Sequence, residues 1–177
     1  MKYLLTFILL AVAAASAQKA DPLEGVGQGY DGEWSHVSRQ LVSLADAIPA
    51  DKYSWRPGPG VRSTGEVFMH IASANYYFLS KMGHKMPADF PSKDVEKTAT
   101  DKAKVVDWLK RSLEAMKEAR AQTAPAELRK TTDFLQHQVT YEDIYLRALV
   151  HANEHMGQLI AYARMNGIVP PWSQGTK

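Results

Sequence analysis

The chain has 177 residues, with 21 basic and 19 acidic side chains and no cysteine. A nearly neutral charge without long basic runs gives no support to nucleic-acid binding. The lack of cysteine excludes disulfides, thiolate metal ligands and a cysteine-linked lipid anchor, so stability must come from packing, with or without a metal ion.

The first residues predict a cleaved signal peptide over residues 1–17. Lys2 supplies a positive charge, residues 4–15 are apolar, and Ala15-Ser16-Ala17 is a small-x-small cleavage site. The apolar stretch is shorter than the ~20 residues that cross a bilayer, so we expect no stable membrane span after cleavage. We therefore expect export of the mature chain, to the periplasm or as a secreted protein, with one domain over residues 26–172.

Four segments of the mature chain have apolar residues at the three- and four-residue spacing that is typical of amphipathic helices. They cover residues 26–48, 63–82, 100–122 and 140–166. In the first segment Trp34, Val37, Leu41 and Leu44 fall on one face, and Pro49 ends the pattern.

Capping residues mark where two of these helices begin. Ser63 and Glu66 fit a capping box, and Thr140 with Asp143 is placed to cap the last helix. Three segments connect the helices: the Pro- and Gly-rich 49–62, the long 86–98, and the short and ambiguous 131–139, which we interpret as an extended excursion. These features predict an all-α fold, a four-helix bundle with long crossover connections.

Three histidines form the strongest candidate site. His151 and His155 lie four residues apart, about 40° around a helix, so both imidazoles leave the same side of the last helix one turn apart. His70 lies at the edge of the apolar face of the second helix and can meet the pair across a helix–helix contact. Three protein ligands with one open position are typical of a catalytic zinc site. The spacing therefore indicates a divalent metal site.

Two other interpretations of these histidines compete with a three-histidine metal site. The stretch from His151 to His155 matches the H-x-x-E-H zinc-peptidase pattern, which needs a further acidic ligand downstream, but none of the 22 residues after His155 is acidic. We therefore set the peptidase aside, and Glu154 remains either a partner of the ligands or a solvated residue. The other alternative is a bundle whose histidines serve only as hydrogen-bonded core residues.

Longer motifs resemble the DinB-like family of metalloenzymes. They are Tyr53-Ser-Trp55-Arg56-Pro57, Ser63-Thr-Gly-Glu66 with His70, the run from His151 to Tyr162, and Pro170-Pro171-Trp172. The resemblance covers about residues 26–172 and implies a bundle of unusual connectivity, often dimeric, that binds a divalent ion, commonly zinc or nickel. The ligands implied by residue-to-residue match are His70, His151 and His155.

The resemblance leaves the reaction open. Characterised relatives include thiol-dependent S-transferases and isomerases. Those thiol transferases are cytosolic, and the predicted export signal of this chain is a departure from them. We expect a metal-dependent hydrolase or thiol S-transferase, with an unidentified small-molecule substrate and a homodimeric state. Glu154, Gln158 and Tyr162 are the catalytic candidates, Gln158 being placed to orient a ligand histidine. The alternative is a non-catalytic metal-binding or stress-related bundle whose metal is structural.

Overall fold

The computed structural model describes residue 25 and residues 27–91, 94–98 and 101–175. The predicted signal peptide lies outside these residues. The regular elements are α1 Gly29–Ala47, α2 Thr64–Lys81, α3 Lys102–Gln122, β1 Thr131–Phe134, β2 His137–Thr140 and α4 Tyr141–Met165. Short 3-10 turns occur at Ala50–Lys52, Val95–Thr98, Glu127–Arg129 and Pro171–Ser173. No helix in the described part of the chain is long and apolar enough to span a membrane.

The helix boundaries follow from capping chemistry, and both predicted caps are confirmed. The Ser63 hydroxyl accepts from the Glu66 amide at 3.3 Å, and the Glu66 carboxylate accepts from the Ser63 amide at 2.7 Å. Thr140 and Asp143 make the same reciprocal pair at the start of α4. Each cap satisfies amides that have no partner within the helix, which contributes about 1 kcal/mol. The first helix starts later than predicted, because Gly27 and Gly29 have φ values of 89° and 64°.

The four helices form a bundle in which α1 and α2 each pack against both α3 and α4. The order around the bundle is therefore α1, α3, α2, α4, and the segments that follow α1 and α3 each join diagonal helices. The prediction of a four-helix bundle with crossover connections is confirmed. Its largest fully buried side chains are Trp34, Leu41, Leu44, Ile48, Tyr53, Phe68, Met69, Ile71, Leu109, Met116, Ile144 and Tyr145.

The segment between α1 and α2 is held firmly against the bundle. Tyr53 is buried, and its hydroxyl donates to the Ala45 carbonyl at 2.8 Å. The amides of Thr64 and Gly65, at the start of α2, donate to the carbonyls of Trp55 and Tyr53 at 2.9 and 2.8 Å. These bonds satisfy amides at the helix N-terminus and fix the entry of the chain into α2.

A short hairpin lies where the sequence predicted an extended excursion over residues 131–139. β1 and β2 pair antiparallel, with Phe134 opposite His137, around a turn in which Leu135 and Gln136 have φ values of 49° and 67°. A two-residue turn with two left-handed residues matches the twist of a hairpin, but it normally contains Asn or Gly. The sequence lacks that signal, so only an irregular extended segment was predictable.

The hairpin lies beside the helix that carries His70. Phe134 packs against Tyr77 and Phe78 of α2, with ring centroids 5.8 Å away in both cases. Phe78 in turn packs edge-on against the His151 ring at 5.7 Å. The hairpin therefore supports the apolar side of the histidine cluster.

Candidate metal centre

Two adjacent helices bring the three predicted histidines together. His70 lies in the second turn of α2, and His151 and His155 lie in the middle of α4. His70 and His151 are 81 residues apart in the chain. One ligand atom from each ring lies within 4.8 Å of the other two. The ring centroids are 4.5 to 5.0 Å apart. The four-residue spacing on α4 and the packing of α2 on α4 therefore act together to form the cluster.

The ring nitrogens face one another in a way that suits a single ion. The Nε2 atoms of His70 and His151 are 3.1 Å apart. Two imidazole nitrogens at 2.0–2.1 Å from a tetrahedral zinc lie about 3.4 Å apart, so a small adjustment of either ring gives ligand geometry. Imidazole is a ligand that suits zinc, copper, iron and nickel.

The outer nitrogen of His70 is hydrogen-bonded to a carboxylate. His70 Nδ1 lies 2.8 Å from Glu96 Oε1, and a carboxylate can only accept, so Nδ1 carries the proton and Nε2 presents its lone pair. Arg62 binds the same carboxylate through two contacts, Nε to Oε2 at 2.6 Å and Nη2 to Oε1 at 3.0 Å. This is the carboxylate–histidine pair that commonly orients a metal ligand.

The outer nitrogen of His155 is held by side chains of α4. His155 Nδ1 lies 2.8 Å from Gln158 Oε1, and Gln158 Nε2 donates to the Tyr162 hydroxyl at 2.8 Å. The Tyr162 hydroxyl donates to the main-chain carbonyl of Arg62 at 3.2 Å. With Nδ1 bonded to Gln158, Nε2 is the nitrogen that His155 offers to an ion.

His151 differs from the other two histidines. Its side chain is buried, and its Nδ1 has no hydrogen-bond partner in the described part of the protein. Burial lowers the pKa of His151 to about 3, and the neighbouring His155 and His70 add to the effect. The ring is therefore neutral at pH 7, which is the form that coordinates metals.

Electrostatics keep His70 neutral and Glu96 ionised. Burial lowers the pKa of His70, with further lowering from Arg62 and His155 that the Glu96 hydrogen bond opposes. Burial works against the charged form of Glu96, but the hydrogen bonds from Arg62 and His70 outweigh it and lower the pKa of Glu96. The cluster thus presents the neutral imidazoles of His70 and His151 beside a carboxylate, a donor set that fits a divalent transition-metal ion.

The three catalytic candidates have different surroundings. Gln158 and Tyr162 lie in the hydrogen-bonded path behind His155. Glu154 is exposed, and its carboxylate pairs with Arg147 at 2.6 Å rather than with an imidazole of the cluster. It therefore has no described contact through which to act on the histidines.

Sequence reasoning missed Glu96 and Arg62. Glu96 lies in the 3-10 turn at Val95–Thr98, within a segment interpreted only as a connection, and 26 residues separate it from His70. Arg62 lies in the loop just before the cap of α2. Neither position has a periodic pattern that could reveal its partner, because long-range pairing of loop residues leaves no local signal.

The remaining histidines lie away from the cluster. His84 follows Gly83, which has a φ of 88° and ends α2, and His137 is exposed on β2. His36 lies half-buried on α1. None of the three is grouped with other metal-ligating side chains in the described residues.

A bundle of this topology with a three-histidine cluster between adjacent helices defines a class of proteins suited to bind a metal. The chain belongs to the DinB superfamily, whose sequence profile matches residues 33–159. No curated protein matches the sequence at a significant level.

Three solved structures illustrate the similarity in fold. A DinB-like protein from Bacillus cereus has a TM-score of 0.71 at 22% identity, over 81% of this chain and 95% of that chain. A conserved protein from Enterococcus faecalis has a TM-score of 0.65 at 18% identity, over 79% and 96%. YfiT from Bacillus subtilis, described as a probable metal-dependent hydrolase with an unusual four-helix bundle topology, has a TM-score of 0.61 at 12% identity, over 78% and 86%.

Proposed function

We propose that this chain binds one divalent ion through His70, His151 and His155 and uses it for hydrolysis. The observation that carries the proposal is the convergence of three imidazole nitrogens within 4.8 Å on two packed helices. It is supported by the outer hydrogen bonds of His70 and His155, which engage Nδ1 and leave Nε2 as the nitrogen that each ring can offer to an ion. Zinc and nickel are the ions we expect.

The side chains around the site have defined tasks in this proposal. Glu96 keeps the Nδ1 proton of His70 in place, and Gln158 does the same for His155. A divalent ion with three imidazole ligands and an open position supplies Lewis-acid activation of a water, thiol or carbonyl group. Hydrolysis is favoured because the similar fold of YfiT belongs to a protein described as a probable metal-dependent hydrolase. Transfer to a small thiol is the second reaction to assay.

A structural metal is the alternative function. The cluster lies between α2 and α4, so an ion bound there would hold these two helices together. This alternative predicts a fourth protein ligand and a large loss of stability on chelation, whereas an open catalytic site predicts neither. Among the described residues, the metal-ligating group consists of the three histidines alone, which favours the open site.

We also propose that the mature chain is exported. The proposal is supported by the n-region, apolar stretch and cleavage motif of residues 1–17. The mass of the protein recovered from the periplasm or medium should correspond to a chain that begins at Gln18. Recovery of the uncleaved chain in the cytoplasm would contradict it.

The decisive experiment is the metal content of untagged protein purified without chelators. We expect about one zinc or nickel per chain in the wild type and almost none in His70→Ala. His84→Ala is the matched control, because it removes an exposed histidine outside the cluster. Wild-type protein that contains no metal and refuses added zinc and nickel would refute the proposal.

A further inference from the structure

The hydrogen bonds behind His70 and His155 meet at one residue. The guanidinium of Arg62 binds Glu96, the partner of His70, and the main-chain carbonyl of Arg62 accepts from Tyr162, which lies behind Gln158 and His155. We propose that Arg62 and Tyr162 are positioning residues that join these two arms into one network and thereby raise the affinity for the metal. This inference rests on the proposed metal site and goes beyond it to the residues that set its affinity.

The direction of each hydrogen bond supports a single arrangement. Tyr162 has one hydroxyl hydrogen, and donating it to the Arg62 carbonyl leaves the hydroxyl oxygen to accept from Gln158 Nε2. Gln158 must then present Oε1 to His155, so His155 Nδ1 is the donor. In the opposite orientation of the amide, Oε1 would need the Tyr162 hydrogen and the Arg62 carbonyl would lose its donor. The hydroxyl of Tyr162 thus selects the tautomer of His155 that leaves Nε2 free for an ion.

The position of Arg62 is well fixed, as this role requires. Arg62 directly precedes Ser63, the cap of α2, and the carbonyl of Val61 on its other side accepts from the Arg56 guanidinium at 2.6 Å. Tyr162 is only 5% exposed, and its ring packs edge-on against Trp55 with centroids 5.3 Å apart. The buried Tyr162 hydroxyl and the Arg62 carbonyl therefore restrict the orientation of Gln158, which bonds His155.

The third histidine provides an internal contrast. His151 Nδ1 has no partner among the described residues, and its Nε2 contacts His70 Nε2 at 3.1 Å, so neither Glu96 nor Gln158 holds this ring; Phe78 packs edge-on against it at 5.7 Å. Loss of the Tyr162 hydroxyl should therefore change the tautomer of His155, which Gln158 holds, and leave the orientation of His151 intact. A general loss of structure would disturb all three rings.

The test compares two variants, one in each arm, with two matched controls. Tyr162→Phe removes only the hydroxyl behind His155, and Glu96→Gln removes the charge behind His70. Tyr145→Phe is the control for the first, because Tyr145 is equally buried and its hydroxyl bonds Thr123 instead. Asp89→Asn is the control for the second, because Asp89 is also bound by an arginine through two contacts.

Affinity for Zn²⁺ and Ni²⁺ is measured by competition with a chelator, and the unfolding temperature is measured on the metal-free proteins. We expect Tyr162→Phe and Glu96→Gln to weaken binding by about 10-fold or more, which is typical for partners of metal ligands. The controls should bind like the wild type. Binding by both variants within twofold of the wild type would overturn the inference while leaving the proposed metal site intact.

Nitrogen NMR of the histidine rings in metal-free protein gives a second, independent measurement. We expect the Nδ1–H tautomer at His155 in the wild type and a mixture of tautomers in Tyr162→Phe, with His151 unchanged. Weakened binding without a change of tautomer would also overturn the inference, since the loss would then come from general destabilisation. A wild type that binds neither ion would instead refute the proposed function, and the inference would fail with it.

Discussion

Replacement of His151 by leucine should stabilise the metal-free protein while abolishing metal binding. His151 is 9% exposed and its Nδ1 has no partner in the described structure. A buried polar atom without a partner costs about 1–3 kcal/mol, whereas the lost contact with His70 Nε2 contributes only about 1 kcal/mol. Leucine has a similar volume and would pack against Phe78. We expect a net gain of up to about 2 kcal/mol at pH 7, or up to about 6 °C in unfolding temperature.

The same substitution should change the response to acid. Burial lowers the pKa of folded His151 to about 3, whereas an unfolded histidine titrates near 6.5. Unfolding therefore takes up a proton between those pH values, and the wild type loses up to about 1.4 kcal/mol for each pH unit as the pH falls through this range. His151→Leu removes that proton uptake, so its stability should decrease less steeply from pH 6.5 towards pH 3.

Urea unfolding of metal-free protein at several pH values measures both effects. His155→Leu is the matched control, because His155 Nδ1 is bonded to Gln158 and its loss leaves that amide oxygen without a donor. The control should be no more stable than the wild type. If His151→Leu were less stable than the wild type at pH 7, or kept the same slope with pH, the reasoning about its buried nitrogen would be refuted.

Three further predictions concern the site and the frame around it. Metal should remain bound well below pH 6.5, because burial lowers the pKa of both His70 and His151 and so weakens the competition from protons. Release of half of the metal near pH 6.5, measured by dialysis, would contradict this prediction. Ser63→Ala should cost about 1 kcal/mol in urea unfolding through loss of the cap, and an unchanged midpoint would argue against it. Leu135→Asn combined with Gln136→Gly should raise the free energy of unfolding by about 1 kcal/mol, because both residues have a left-handed backbone conformation. A lower unfolding temperature would show instead that Leu135 makes a stabilising contact.

The helices were predictable because their signals are local. Apolar spacing located four helices, and Ser63 with Glu66 marked the start of α2 to within a residue. The hairpin was not predictable, because its turn uses Leu135 and Gln136 where Asn and Gly are usual. Its formation depends on Phe134 packing against α2, a contact that no local pattern reveals.

His151 and His155 could be placed on one side of a helix from their spacing alone, because that relation depends only on the helical repeat. The same spacing argument places Gln158 within reach of His155, three residues away. The approach of His70 to this pair depends on tertiary packing, since it requires α2 to pack against α4. The same holds for Glu96 and Arg62, which lie in two different connections of the bundle. These connections meet beside His70 only in the folded protein, and no local pattern in the sequence predicts that contact.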